Sequence, residues 1–353
     1  MNYLLIFLPI TLVLRYAYTG HDTLLFFAAG LAIVPLAGLL GEATEHLAEK
    51  TGEGVGALLN ATFGNAAELI IALMALHSGL PEIVKASLTG SIIGNLLLVM
   101  GAALVAGGMK HSVLVFNIEG ARSQAAMLSI AAASLLLPAC YHNFAGEGAK
   151  ISEEHISVAF SIVLLITYVS GLLFSLRTHK HLFAGVAEEL DPASSISSTS
   201  WTMRRSFVVL AISTAAIAWM SEILVGSVEH AAHSLGMTPV FVGVIVVAIV
   251  GNAAEHSTAI LMALRKRMDL SLGIAIGSSI QVALFIAPVL VFASYFIAPQ
   301  PMDLVFTTAE VLAVGLAVYL VGQIVGDGKA NWLEGVQLLS LYLLLGIVFY
   351  FLH

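Results

Sequence analysis

Long apolar runs separated by short polar patches set the first constraint on this chain. A bilayer core of about 30 Å takes about 20 apolar residues per helix. That ruler marks eleven runs, at 2–18, 23–47, 54–77, 82–108, 122–140, 154–176, 205–233, 238–264, 269–297, 303–325 and 332–352. The first run, MNYLLIFLPITLVLRYAY, lacks a basic start and ends in Arg and aromatics, so it reads as a span rather than a signal peptide. The one long polar connection, HKHLFAGVAEELDPASSISSTSWTMRR, falls between the sixth and seventh runs, and its Ser-rich second half reads as a flexible linker. The pattern predicts an all-α polytopic membrane protein with eleven transmembrane helices.

The two sides of that linker resemble each other. Shifting the sequence by 187 residues lays GNAAE at Gly64–Glu68 over GNAAE at Gly251–Glu255. The same shift, without a gap, lays Glu42 on Glu229, His46 on His233, Gly56 on Gly243 and GSII at Gly90–Ile93 on GSSI at Gly277–Ile280. Glu68 lies in the third run and Glu255 in the eighth, five crossings later, so the equivalent segments enter the membrane from opposite sides. The expected organisation is an extra first helix (1–20), a five-helix repeat (21–177), a cytoplasmic linker (178–204) and a second, inverted five-helix repeat (205–353). Inverted repeats belong to secondary transporters, with substrate and coupling-ion sites near the midplane where the halves meet.

Charge adds an orientation. With the N-terminus inside, the cytoplasmic connections hold Lys50, Lys110, Arg122, Arg177, Lys180, Arg204, Arg205, Arg265, Lys266, Arg267 and Lys329, eleven of the fourteen basic residues. The other face keeps Arg15, Lys85 and Lys150. The positive-inside bias puts the N-terminus in the cytoplasm and the C-terminus outside, with the cell membrane as the expected location. The net charge of -8 reads as solvated surface. A single cysteine, Cys140, excludes a disulfide framework and a multi-thiolate metal site. No phosphate-binding GxxxxGKS loop, nucleic-acid stripe or organic-cofactor motif is present, so active transport would run on an ion gradient and no cofactor is expected.

The candidate chemistry lies in the paired motifs. A charged side chain at mid-bilayer costs at least about 2.5 to 3.5 kcal/mol, and intramembrane carboxylates are functional by default. Glu68 and Glu255 sit near the centres of their runs, with Asn65 and Asn252 three residues earlier on the same helical face. Gly64 and Gly251 weaken the helix, and a break there would free backbone carbonyls toward the site. Ser91 and Asn95, in GSIIGN, and Ser278 and Gln281, in GSSIQ, lie on the following helix of each repeat, with helix packing as their alternative role. An oxygen-only cage of this kind suits a hard cation such as Ca²⁺. One Ca²⁺ or two protons neutralise the same two carboxylates, and an empty site of two close carboxylates in low dielectric favours proton uptake. Glu42 and Glu229 are candidates for gating carboxylates on opposite faces, with solvated helix ends as the alternative. Glu45, Glu222 and Glu310 are left without a role, and most of the twelve His flank helix ends as interfacial polarity.

The paired GNAAE cores, the preceding GEATEHLAEKTGEGVGALLNATF, the second VGNAAEHSTA and the trailing GSSIQVALF resemble the Ca²⁺/H⁺ antiporter family, the CAX branch of the Ca²⁺/cation antiporters. The resemblance covers nearly the whole chain. It implies eleven helices, an inverted five-plus-five core, Ca²⁺ and H⁺ as transported partners, and ion binding at Glu68 and Glu255 supported by Asn65, Asn252, Ser278 and Gln281. Relatives often carry an acidic helix between the halves, where this chain offers only Glu188, Glu189 and Asp191. The Ser-Pro-Glu or Ser-Pro-Asp motifs of the sodium/calcium exchangers are absent here, which argues against Na⁺ coupling. A Na⁺-coupled or other divalent-cation exchanger and a cation channel stay open as alternatives. An intramembrane metalloprotease needs HExxH or HxxEH, and EHAAH at Glu229–His233 and NAAEH at Asn252–His256 fit neither.

Overall fold

The computed structural model describes residues 2–18, 20–51, 56, 59, 62–145, 150–179, 182 and 201–352. Most of the expected linker, with Glu188, Glu189 and Asp191, lies outside these residues, as does much of the first half of the third expected span. A 3-10 turn, Asn2–Ile6, leads into α1 (Phe7–Tyr16), followed by α2 (Asp22–Thr51), α3 (Ala66–His77), α4 (Pro81–Lys110) and α5 (Ile118–Ala145). Then come α6 (Lys150–Leu173), α7 (Met203–Ser234), α8 (Pro239–Gly251), α9 (Ala253–Leu264), α10 (Met268–Ile297), α11 (Thr308–Ile324) and α12 (Trp332–Phe351). Among the described residues, eight helices are long and apolar enough to cross a bilayer, and α8 with α9 forms a further bent pair; α1 and α3 are shorter apolar helices. The protein is an integral multi-pass membrane protein. Large apolar side chains such as Ile166 and Val169 on α6 and Leu343 and Leu344 on α12 face outward, as lipid-facing helices require.

The most extensive helix pairing joins α2 to α7. Thr23, at the start of α2, bonds Ser234 at the end of α7 through their hydroxyls at 2.6 Å, and Lys50, at the end of α2, donates to the carbonyl of Trp201 just before α7. The two helices therefore run antiparallel over their full length. Trp201 is buried, with its ring 5.0 Å from that of His46 and the Arg205 guanidinium over the ring at 4.2 Å from its centroid. These contacts fasten the chain emerging from the linker onto α2.

Inside this frame α4 and α10 are largely enclosed, and each carries a π-helical turn at the equivalent place, Gly94–Val99 and Val282–Ile286. A π turn re-aims the side chains around it and is common at functional sites. Helix α4 crosses α8 so closely that a Cβ on Gly90 would stand 2.6 Å from Val244 Cα, which is why GSII opens with glycine.

Two features depart from the sequence expectation. The tenth span does not begin at residue 303: helix α11 starts after Thr307, in a capping box where Thr307 and Glu310 bond each other's backbone N–H. The preceding segment is a packed loop, in which Met302 N–H donates to Ser294 Oγ (2.8 Å), Leu304 N–H donates to Ser157 Oγ (2.9 Å), and Asp303 pairs with buried Lys85 (2.7 Å). Glu310 thus has a structural role at a helix start. The second feature is a two-residue antiparallel ladder, β1 (Leu114–Val115) with β2 (Lys329–Ala330), pairing Leu114 with Ala330. Two residues are too few to leave a periodicity in the sequence.

The crossing at Gly90 yields a stability prediction. Gly90→Ala drives a methyl into backbone and should lower stability by about 3 kcal/mol, the upper end for overpacking, whereas Gly315→Ala, with nothing within 4 Å, should leave it unchanged. Thermal unfolding of the two purified variants in detergent checks this; equal midpoints would disprove the close-crossing account.

Candidate cation site

Both GNAAE motifs fold into the same local device, a helix start at the membrane interior. Asn65 precedes α3 and Asn252 precedes α9, with φ of -105° and -103°, so Glu68 and Glu255 each occupy the first turn of the new helix. Helix N-termini favour carboxylates, because the first N–H groups point outward unpaired. Asparagine at such a position ordinarily caps its own helix. Neither does so here: both side chains make no cap bond and turn into the interface between the halves. At the second motif the preceding helix is described in full, and α8 and α9 meet at a 63° bend. Gly251 leaves room at that bend for the opposite half, since a Cβ there would stand 3.1 Å from Glu68 Cγ.

The side chains form one buried network across the two halves. Glu68 Oε1 accepts from the Ser91 hydroxyl and from Asn252 Nδ2. Asn252 Nδ2 also donates to Ser91 Oγ (3.0 Å) and to the Ala248 carbonyl at the end of α8 (2.9 Å). Asn95 Nδ2 donates to Ser278 Oγ (3.0 Å) and Asn252 Oδ1 (3.4 Å). Ser278 Oγ donates onward to Asn65 Oδ1 (3.2 Å), and Asn65 Nδ2 reaches the Ser278 carbonyl (3.4 Å). Asn65 with Ser278 and Asn252 with Ser91 are the same pair under the 187-residue shift, each Asn reaching the Ser of the other half.

Glu68, Asn65, Asn252, Ser91, Asn95, Ser278 and Gln281 are all buried, Gln281 one turn beyond Ser278 on α10. Glu255 is partly buried, one turn along α9 from Asn252, whose amide reaches Glu68. The second oxygens of both acids, Glu68 Oε2 and Glu255 Oε2, are buried without a hydrogen-bond partner among the described residues. Buried polar atoms almost always have partners, so two orphan carboxylate oxygens make this a candidate place for cations or protons. Glu42, Glu229, Glu45 and Glu222 are exposed and stand outside this network. No group of three or more His, Cys, Asp or Glu placed to hold a metal occurs among the described residues. The donor set is two carboxylates with amide, hydroxyl and carbonyl oxygens, which suits a hard cation. The glycine pointed to freed backbone carbonyls at this break but not to which one, and the clearance that Gly251 leaves for Glu68 carries no residue signature.

Comparison with known proteins shows the family. The family profile described as sodium/calcium exchanger protein matches residues 21–177 and 205–351. The chain is 44% identical over 362 residues to a Ca²⁺/H⁺ antiporter of Aphanothece halophytica, covering 99% of this chain and 95% of that protein. It is 42% identical over 337 residues to the Ca²⁺/H⁺ antiporter ChaA of Bacillus subtilis, covering 94% and 93%. The solved structure of native YfkE superimposes with a TM-score of 0.84 at 37% identity, covering 99% of both chains. With a family profile matched on both sides of the linker and relatives alike over nearly their full length, the chain belongs to the sodium/calcium exchanger protein family, among its Ca²⁺/H⁺ antiporters.

Proposed function

We propose that the chain expels cytosolic Ca²⁺ in exchange for protons by alternating access at one site shared by Glu68 and Glu255. The observation that carries this reading is the pair of buried, unpartnered carboxylate oxygens, one from each half. An ionised carboxylate held out of water needs either a cation or a proton. Because both ions neutralise the same oxygens, Ca²⁺ and protons exclude each other, and the site crosses the membrane loaded with one or the other. Asn65, Asn252, Ser278, Gln281 and Ser91 supply or hold the remaining oxygens. The carbonyl end of α8 and the N-terminal end of α9 face this region, the arrangement by which broken helices serve ion sites in inverted-repeat transporters. This is a transport family, not an enzyme family.

The inverted architecture is supported by the antiparallel run of α2 and α7, which are equivalent in sequence, and by the matching π turns of α4 and α10. Counting α1, the third span ending in α3, and the bent α8–α9 pair each as one crossing gives eleven spans, with the N-terminus cytoplasmic and the C-terminus outside the cell membrane. Glu42 and Glu229 then lie toward opposite faces as gating carboxylates.

Three outcomes follow. In proteoliposomes with an imposed pH gradient, wild type should accumulate ⁴⁵Ca²⁺ without Na⁺, whereas Glu68→Gln or Glu255→Gln should lose at least tenfold in rate while still being recovered folded. Uptake at the wild-type rate by either variant would refute the shared site. A requirement for Na⁺ would indicate a sodium exchanger, and uptake without a counter-gradient a channel. For topology, Arg265→Cys in a background lacking Cys140 should react with an impermeant thiol reagent only from the cytoplasmic side; labelling from outside would reverse the orientation. Glu42→Gln and Glu229→Gln should slow exchange with opposite sidedness, and equal effects from both sides would make them structural.

A further inference from the structure

The two Asn–Ser pairs of the cross-half network are related by the repeat, whereas the residue that joins them is not. The Asn65–Ser278 and Asn252–Ser91 pairs map onto each other, but Asn95 maps onto Val282, and Gln281 onto Gly94. Asn95 is also the residue that joins the two pairs, and it is 1% exposed at the start of the π turn of α4.

Its orientation is fixed by its neighbours. The NH₂ of Asn252 faces a carboxylate oxygen and the Ala248 carbonyl, which only accept, so Asn252 Oδ1 must face Asn95. The hydroxyl proton of Ser278 goes to Asn65 Oδ1, so a lone pair of Ser278 Oγ also faces Asn95. Both neighbours therefore offer acceptors, and Asn95 meets them with its NH₂ rather than its oxygen. Those two acceptors are oxygens that a Ca²⁺ ion, which takes six to eight oxygens at about 2.3–2.6 Å, would draw on. An amide NH₂ carries partial positive charge on its hydrogens and cannot ligate a cation.

We propose that Asn95 is a positioning residue that competes with Ca²⁺: its NH₂ satisfies Asn252 Oδ1 and Ser278 Oγ in the cation-free site and is displaced when Ca²⁺ binds. The inference rests on the shared-site reading above. It assigns the donor a function in release. A site that regains two hydrogen bonds as Ca²⁺ leaves holds the ion less tightly, and turnover on the releasing side is faster. Placing this donor in only one half gives the two halves different parts in the cycle.

The test is Asn95→Val, which installs the residue the second half carries at the same point of its own π turn. Calorimetric titration of the purified full-length protein with CaCl₂, together with ⁴⁵Ca²⁺ exchange kinetics in proteoliposomes, gives affinity, KM and maximal rate. Removing the donor should tighten Ca²⁺ binding on the order of tenfold, the worth of one to two buried hydrogen bonds, with KM and maximal rate falling together. Looser packing alone would instead raise KM. Weaker binding by Asn95→Val would make Asn95 an ordinary oxygen ligand, and unchanged binding a bystander; either overturns the proposal. Should Asn95→Val not fold, Asn95→Ser, which keeps a single hydroxyl donor, should shift affinity the same way by less, and a shift in the other direction overturns it. A wild type that binds no Ca²⁺ overturns the shared site itself, whereas a wild type that binds Ca²⁺ beside variants that bind it no tighter overturns only the role of Asn95.

Discussion

A carboxylate buried in a bilayer has to be neutralised at every moment, and two of them close together cannot both stay bare. Glu68 and Glu255 impose that condition on this protein. Each is carried on the first turn of a helix, and each leaves one oxygen without a partner among the described residues. Protons and a divalent cation are the two ways of meeting the condition. On the proposed shared-site reading, exchange follows because passage across the membrane with the site empty is the costly state.

The surrounding structure makes that site possible at tolerable cost. A helix break inside a bilayer exposes backbone groups that must find partners within the protein. Here the Ala248 carbonyl accepts from both the backbone N–H and the side-chain amide of Asn252, and that same side chain reaches Glu68 of the other half, so one residue closes the end of α8 and joins the halves. The glycine ahead of it gives Glu68 the clearance to approach. Helices α4 and α10 bring Ser91, Asn95 and Ser278 to the same point, and the tight crossing at Gly90 presses α4 against α8, the helix that ends at the site. The long antiparallel α2–α7 pair forms the frame on which the broken helices are carried.

Much of this was legible in the sequence. Eight of the eleven apolar runs coincide with helices long enough to span and a ninth with the bent α8–α9 pair, while one constant offset aligned polar and glycine positions of the two sides. The offset also singled out the two acids, their Asn neighbours and the Ser pair, which the structure gathers, Glu255 standing one turn along α9 from Asn252. What escaped was set by geometry rather than residue type. The Asn side chains forgo their usual capping role, Asn95 presents nitrogen rather than oxygen, and Gly251 serves the opposite half more than its own helix. The start of α11 was missed because Asp303 and Leu304 belong to an apolar run whose loop is held by Lys85 and Ser157 from distant parts of the chain.

The central claim is that Ca²⁺ and protons occupy the same carboxylates, and proton displacement measures it directly. Calorimetric titration of wild type with Ca²⁺ at one neutral pH, repeated in buffers of different ionisation enthalpy, gives the number of protons released per Ca²⁺ bound. A shared site predicts a release of about one to two protons, with Ca²⁺ affinity falling as the medium is acidified. Binding heats independent of the buffer, with an affinity that does not change on acidification, would contradict it.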